Sequence, residues 1–468
     1  MTGFIETITE YFKNAENFIY TYIITAVLLV VSVYFSLRTK FVQIRLFPDS
    51  VRSLLERNKG KGTSSFQALM ISTAARVGTG CIAGVSTAIV VGGAGAVFWM
   101  WIVAIISSSL TFIECTLAQM YKVRDKNGEF RGGPAYYIEQ VLKQRWFGVL
   151  FSVLLVVCYG YGFNALQAHM ISDSMSEYID GYADSHWPLI VGIILAIVTF
   201  VIIFGGMQRI GFVSSYIVPV MSLGYMALGV AIIAMNLGRI PSMIINIFKS
   251  AFDFKSIGGG LISAAIMEGV KKGIVSHESG MGSAANIAAA ADVSHPAKQG
   301  ISQIFSVFIT TFLVCTTTAF IVLLSGIDLT GGLKDIALVQ EAIKSQVGDI
   351  GNHFLTLSIF FFAFSSIMGN YSYAESNILF IKDSKKVLYI FRITCVLILI
   401  LGAIASSELV WSVIQVMMSF MIFTNIVAMV LIGNRAVLCL KDYVKQKKEG
   451  KDPVFKASNI GLNDMSEW

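Results

Sequence analysis

Ala74-Ala75-Arg76-Val77-Gly78-Thr79-Gly80-Cys81-Ile82-Ala83-Gly84 interrupts one long apolar segment. Glu268-Gly269-Val270-Lys271-Lys272-Gly273-Ile274-Val275-Ser276-His277-Glu278-Ser279-Gly280-Met281-Gly282-Ser283 interrupts a second. Glycine costs about 1 kcal/mol relative to alanine inside a helix, so several close together favour an unwound stretch. Isolated glycines in membrane helices mark close packing, which accounts for Gly84, Gly92, Gly93 and Gly95. At the two quoted runs charged residues accompany the glycines at mid-membrane depth, where a charge costs on the order of 3 kcal/mol. Packing alone does not account for them.

The surroundings fix what solvent these runs meet. The chain has 468 residues, 55% hydrophobic and 14% charged, with mean hydropathy +0.71. Such a chain needs lipid around most of its length. Crossing the hydrocarbon core takes roughly twenty apolar residues in a helix, which satisfies its own backbone hydrogen bonds. Eleven segments qualify, near 19–38, 66–91, 95–121, 147–172, 187–206, 211–237, 259–290, 300–325, 353–381, 386–406 and 410–435. Strands of a membrane barrel would read as short alternating segments instead. Glu6, Glu10 and Glu16 precede the first apolar run, and no small-residue cleavage site follows before Arg38. That run therefore reads as a retained helix and not as a signal peptide.

Charge reports topology. The loops near 38–61, 122–146, 207–210, 291–299 and 382–386 and the tail from Arg435 hold 25 of the 35 basic residues, and the opposite side holds 6. Cytoplasmic segments carry the excess of Lys and Arg, so the C-terminus is expected inside and, with an odd number of spans, the N-terminus outside. The net charge of +6 thus belongs to membrane orientation, and no nucleic-acid partner is implied. The six cysteines fall in or at the ends of apolar spans without a paired C-x-x-C spacing. They read as packing residues, with no metal site. Gly132-Gly133-Pro134 suits a turn entering a short interfacial helix, and the tail Lys441–Trp468, charged and poor in apolar residues, reads as loosely ordered.

With the first helix set aside, ten spans divide into two groups of five, and the interrupted segments open both. The expected organisation is an N-terminal helix and basic loop (1–65), a first five-helix repeat (66–237), an external connector (238–258), an inverted second repeat (259–436) and a cytoplasmic tail (437–468). Core helix 1 enters from the cytoplasm and core helix 6 from outside. Paired Gly-interrupted helices at matching positions of inverted halves point to a transporter binding site. An unwound segment exposes amide N–H groups at one half-helix and carbonyls at the other. Amides around Thr79, Gly80 and Cys81 would receive a carboxylate, and carbonyls before each break an ammonium or a cation. A zwitterionic amino acid satisfies both.

At these runs the chain resembles the alanine or glycine:cation symporter family, also called sodium:alanine symporters. The resemblance covers about 20 to 440 and is carried by R-V-G-T-G-C-I-A-G-V at Arg76–Val85, F-R-G-G-P-A-Y-Y-I-E at Phe130–Glu139, S-H-E-S-G-M-G-S-A at Ser276–Ala284 and H-P-A-K-Q-G at His295–Gly300. It implies an all-α integral membrane protein of the cell membrane, with the five-plus-five inverted-repeat fold of the amino-acid/polyamine/cation superfamily. One added helix in front makes about eleven spans, and core helices 1 and 6 are unwound. It also implies symport of small neutral amino acids such as alanine, glycine or glutamine with sodium, or in some members protons, and no enzymatic cofactor.

By the same resemblance, Gly78, Thr79, Gly80 and Cys81 match the unwound loop that grips the substrate carboxylate. Gln167 matches a glutamine facing the pocket from core helix 3, and Val275 and Ser279 stand where core helix 6 lines it. Phe362-Ala363-Phe364-Ser365-Ser366 on core helix 8 matches the sodium-site pattern, in which two hydroxyls and the Phe362 carbonyl join carbonyls at Ala74 and Val77. Taken alone, adjacent serines in a membrane helix more often bond back to the preceding turn. The sequence departs from the family at Cys81, where asparagine is usual, at Ser276-His277-Glu278-Ser279 in place of S-N-E-A, and at Ala94 and Ala285, where proline is frequent. Asn370 takes a position that is tryptophan in some members, which implies a smaller and more polar pocket floor, open to glutamine, asparagine or serine.

Arg76, Glu114, Glu268, Lys271, Lys272, His277, Glu278 and Glu375 lie in or near spans. Such residues are functional candidates, yet they also neutralise one another. Glu114 could anchor Arg76 or a lysine of core helix 6. His277 could sense protons or pack as a hydrogen-bonded ring. A passive channel, the main rival, needs no paired broken helices. An enzyme or ATP-driven pump is disfavoured, since H-E-x-x-H, G-x-S-x-G and G-x-x-x-x-G-K-[ST] are all missing from the sequence.

Overall fold

Residues 17–54, 63–126, 128–253, 264–329, 331–333, 335–405 and 407–468 are described by a computed structural model. The apolar runs become helices, as lipid demands of a backbone with no water to bond. In chain order these are α1 (Phe18–Arg38), α2 (Ser65–Arg76), α3 (Ala83–Gly92), α4 (Gly95–Met120), α5 (Pro134–Leu142) and α6 (Arg145–Tyr178). They continue with α7 (Trp187–Ile203), α8 (Gly206–Met235), α9 (Ile240–Ala251), α10 (Ala264–His277), α11 (Ser283–Ala290) and α12 (Pro296–Ser325). The last are α13 (Asp335–Val347), α14 (Asp349–Ile381), α15 (Lys385–Ile404), α16 (Ser407–Ile432) and α17 (Asn434–Lys448).

Among the described residues eight helices are long and apolar enough to cross a membrane, or nine if α2 and α3, bent by 59° at their junction, count as one span. α7 is a shorter apolar helix. The start of the segment expected at 259–290 lies outside the described residues.

Local signals set the boundaries. α2 opens on a capping box: Ser64 Oγ accepts from Gln67 N and Gln67 Oε1 accepts from Ser64 N, both at 3.1 Å. α5 begins at Pro134, where the missing N–H has no intrahelical partner to lose. A short antiparallel pair, β1 (Val123–Arg124) with β2 (Phe130–Arg131), precedes it. Two helices stand where the sequence reads as loop: α9, whose Met243, Ile247 and Ala251 are buried against α4, and α13, packed on α14.

α4 and α14 occupy the centre. α4 packs on α1, α10, α11 and α12, and α14 on α2, α6, α8 and α13. Outward faces stay apolar, as at Ile193, Ile197 and Val201 on α7 and Leu397 and Leu401 on α15. Exposed rows of this kind meet lipid without cost.

The tail departs from its sequence reading. After α17, residues up to Trp468 dock on the ends of α4 and α12. Phe455 N donates to Ser294 O at 2.9 Å, Lys298 pairs with Asp452 at 2.7 Å, and Trp468 Nε1 donates to Gln119 O at 2.8 Å. Phe455 and Met465 are buried. Three spaced apolar anchors hold the segment, and an average composition does not register them. Lys122 Nζ lies 3.9 Å from the Phe130 ring centre and 4.5 Å from that of Trp468. Burial pushes its ammonium down to about 8.

Candidate functional site

α2 stops at Arg76, and Val77 and Gly78 carry the chain into a single tight turn, Thr79–Cys81, before α3 resumes. The i−4 pattern gives way here to i−3 bonds: Cys81 N bonds Gly78 O at 3.1 Å and Ile82 N bonds Thr79 O at 3.0 Å. Side chains from two other helices fill the gap. On α6, Gln167 Oε1 accepts from Thr79 Oγ1 at 2.9 Å and from Thr79 N at 3.4 Å. On α14, Ser366 Oγ donates to Ala74 O at 2.8 Å. A Cβ at Gly78 would overlap Ser366 Oγ and stand 2.9 Å from Gln167 Nε2, whereas one at Gly80 would meet open space. Gly78 is therefore the point where three helices converge, and Gly80 borders open space.

Close approach of α14 makes this convergence geometrically accessible. A Cβ on Gly369 would lie 2.9 Å from Ala75 N and 2.8 Å from Ala75 Cβ, so glycine at that position brings the α14 backbone onto α2. One turn beyond Ser366, Asn370 Nδ2 donates to Asn164 Oδ1 at 3.2 Å. Asn164 and Gln167 thus form one polar row on α6, meeting Asn370 and Thr79. The two serines differ in partner. Ser366 crosses to Ala74, while Ser365 Oγ donates back to Phe362 O at 2.9 Å. Ala74, Phe362, Ser365 and Ser366 are gathered in this way, and Val77, the residue after Arg76, is buried.

The second interruption is held differently. α10 ends at His277, Glu278 takes a left-handed conformation at φ 55, Gly280 and Gly282 follow at φ 82 and 78, and α11 begins at Ser283. Glu114, fully buried on α4, accepts from Gly282 N at 2.9 Å and from Asn425 Nδ2 at 3.0 Å. Asn425 also donates to Gly280 O at 3.0 Å and accepts from the Tyr137 hydroxyl. A carboxylate at this helix start complements the partial positive charge of its free amides.

A family comparison matches residues 5–457 to the sodium:alanine symporter family. The chain belongs to that family. It is 43% identical over 444 residues to the probable sodium/glutamine symporter GlnT of Bacillus subtilis, covering 94% of this chain and 92% of that protein. It is 34% identical to the sodium/alanine symporter AgcS of Methanococcus maripaludis, covering 94% and 98%. Among solved structures, MhsT in complex with L-phenylalanine superposes with a TM-score of 0.58 at 14% identity, covering 88% of this chain and 95% of that one. A manganese transporter of Eremococcus coleocola gives 0.51 at 11% identity. The protein is thus an all-helical, multi-pass secondary active symporter and not an enzyme.

In this symporter the predicted residues do not all meet. Cys81 Sγ turns back to Arg76 O at 3.3 Å. Ser279 Oγ accepts from Thr111 Oγ1 of α4 at 2.8 Å, and Val275 is half-buried against the core. Neither Ser279 nor Val275 is hydrogen-bonded to the Gly78–Cys81 turn among the described residues. His277 is fully buried, with Ser107 Oγ 3.3 Å from its Nε2 and Ser279 N donating to its Nδ1 at 3.3 Å. It is a packed, bonded ring. Glu114 anchors a backbone amide and an asparagine, where Arg76 or a lysine was expected. Arg76 Nη1 reaches Gln303 O at 3.4 Å, and Glu375 pairs with Arg392 at 3.4 Å. All six cysteines are buried and free.

Asn164 and Asn425 were not singled out in the sequence. Each is a lone amide in an apolar run, Cys158–Leu166 and Phe420–Leu431, and a polar group at that depth requires a partner.

Proposed function

We propose that this symporter carries a small neutral amino acid, alanine, glycine or one like glutamine, together with sodium. The observation that carries the reading is the junction at Gly78, where Thr79, Gln167, Ser366 and Ala74 meet beside the open face of Gly80. Substrate carboxylate would lie on the turn of Gly78, Thr79, Gly80 and Cys81, taking the Thr79 and Cys81 amides from Gln167 Oε1 and Gly78 O. The asymmetry between the two interruptions supports this: the second has its own carboxylate, Glu114, on the Gly282 amide, so a ligand's carboxylate goes to the first. Gln167, Val275 and Ser279 would border the side chain, with Asn370 and its partner Asn164 as a polar floor. The printed names of the relatives, sodium/glutamine for GlnT and sodium/alanine for AgcS, agree with this class.

Sodium would be held by the carbonyls of Ala74, Val77 and Phe362 and the hydroxyls of Ser365 and Ser366. Hard oxygen donors suit a small hard cation. Each serine now donates to a carbonyl, and rotation of its O–H would turn a lone pair toward an ion. The finer architecture belongs to the same proposal: eleven spans in five-plus-five inverted repeats after α1, with α2/α3 and α10/α11 as the unwound core helices 1 and 6. The N-terminus would be external, the C-terminus cytoplasmic, and one helical bundle would rock about the central site.

Uptake of an amino-acid panel into proteoliposomes tests this. Glutamine or alanine should accumulate only with an inward sodium gradient. Accumulation that ignores sodium and follows a proton gradient would overturn the ion assignment, and no amino-acid uptake would overturn the substrate class. Ser366→Ala removes one ligand, and a hydrogen-bond-scale contact to a charge is worth about 1.5–3 kcal/mol. The sodium concentration for half-maximal uptake should rise on the order of tenfold or more, while Ser365→Ala, measured alongside, should show a rise of similar kind.

A further inference from the structure

A basic cavity lies where α1 and α17 meet. α1 ends at Arg38 and α17 begins at Asn434, directly after the α16 span, and the two are tied by Arg38 Nη2 donating to Asn434 Oδ1 at 2.7 Å. Between them is a cavity of about 510 Å³, with Arg38, Lys40, Arg45, Lys441, Lys445 and Lys448 on its walls. Val437, Leu440 and Val444 form its floor. The one acid on its walls, Glu449, pairs with Lys451 at 2.7 Å and is also attracted by Lys445, four residues before it. Lys40, Arg45, Lys441, Lys445 and Lys448 make no ion pair among the described residues.

Two features show that these cations are gathered at a cost. Lys441, Lys445 and Lys448 lie at i, i+4 and i+7 on α17, one face of a helix, where like charges repel. Lys40 sits at φ 53 in the position after the helix end that glycine ordinarily fills, with Phe41 N bonded to Ser36 O at 2.7 Å and Lys40 N to Leu37 O at 3.0 Å. A side chain there is strained. An anion in the cavity would offset the repulsion. Exposed apolar side chains flank the basic ones in sequence, Leu37, Phe41 and Ile44 on one side and Val430 and Leu431 on the other. Cations above and bare hydrocarbon beside them, at the level where two spans leave the membrane, match a phosphate headgroup and its acyl chains.

We propose that this cavity binds the phosphate headgroup of an anionic glycerophospholipid. The shared chemistry is a phosphate ester, which a soluble phosphate could also supply, and the test separates the two. Purified full-length protein in detergent is incubated with phosphatidylglycerol, phosphatidylcholine or glycerol 3-phosphate, and retained ligand is counted by native mass spectrometry. Phosphatidylglycerol should be retained well above phosphatidylcholine. The triple variant Lys441→Gln, Lys445→Gln, Lys448→Gln should lose it on the order of a hundredfold, at roughly fivefold per lysine near an anionic headgroup. The triple Lys→Arg variant should keep it.

Lys40→Gly separates binding from folding. It should weaken retention roughly fivefold while the melting temperature holds or rises, because the strained position regains glycine. Equal retention of phosphatidylcholine, or full retention by the triple Gln variant, would overturn the site. Retention of glycerol 3-phosphate as strong as that of phosphatidylglycerol would overturn the lipid as its source.

Discussion

Sodium-driven uptake should fall by about two orders of magnitude in Gly78→Ala, the loss expected when a reacting or binding geometry shifts by about an ångström. The added methyl would overlap Ser366 Oγ and press on Gln167 Nε2, 2.9 Å away. Ser366 cannot retreat freely, since its hydroxyl holds Ala74 O at 2.8 Å and its helix is seated on α2 through Gly369. Gln167 is tied to Thr79 by the contact that orients the turn. One methyl therefore displaces the proposed ion ligands and the proposed carboxylate cradle together. Initial rates in proteoliposomes, with surface expression and melting temperature measured alongside, check the result. Gly80→Ala is the control: its Cβ enters open space, so the fold is undisturbed and a milder loss reflects crowding of the substrate alone. Uptake by Gly78→Ala within threefold of the parent would remove the junction from the transport site.

The helical membrane class was legible because lipid leaves a chain few options, and apolar runs of sufficient length announce spans directly. α9 and α13 were not legible in that way. Each is short, lies between spans and buries only one stripe, so its signal is diluted by the polar loop around it. The tail misled for a related reason: Phe455, Met465 and Trp468 are isolated in sequence and converge only on the folded surface of α4 and α12.

The candidate site was legible where chemistry departs from its surroundings. Glycines beside charges inside apolar segments marked both interruptions, and the resemblance drew attention to Gln167 and Ser366, which the structure brings to Thr79 and Ala74. What the sequence could not supply was direction. Ser279 and Cys81 sit in the interrupted runs, and their side chains turn to Thr111 and to the Arg76 carbonyl, a facing that a broken helix, with no fixed periodicity, does not let the sequence give. Glu114 was visible as an anomaly in an apolar run, but its partner was a backbone amide, and main-chain groups have no sequence signature.

That anchoring leads to the second large effect. Glu114→Ala should lower stability by about 2–6 kcal/mol, because two donors, Gly282 N and Asn425 Nδ2, lose their acceptor inside the protein at about 1–3 kcal/mol each. Glu114→Gln retains an acceptor oxygen and loses only the charge, so its cost should be smaller, about 1–2 kcal/mol. Asn425→Ala severs the same network from the other side, freeing Glu114, the Gly280 carbonyl and the Tyr137 hydroxyl at once. Since the two residues share one bond and one purpose, Glu114→Ala and Asn425→Ala should not add: a double-mutant cycle should give a coupling of roughly 1–3 kcal/mol. Chemical unfolding of the detergent-solubilised protein measures it. Additive costs would mean that the two side chains act separately and that the start of α11 is held by something else. Strong coupling, with Gln at 114 retaining most of both stability and uptake, would establish that the carboxylate works chiefly as a hydrogen-bond acceptor for the helix that begins at Ser283.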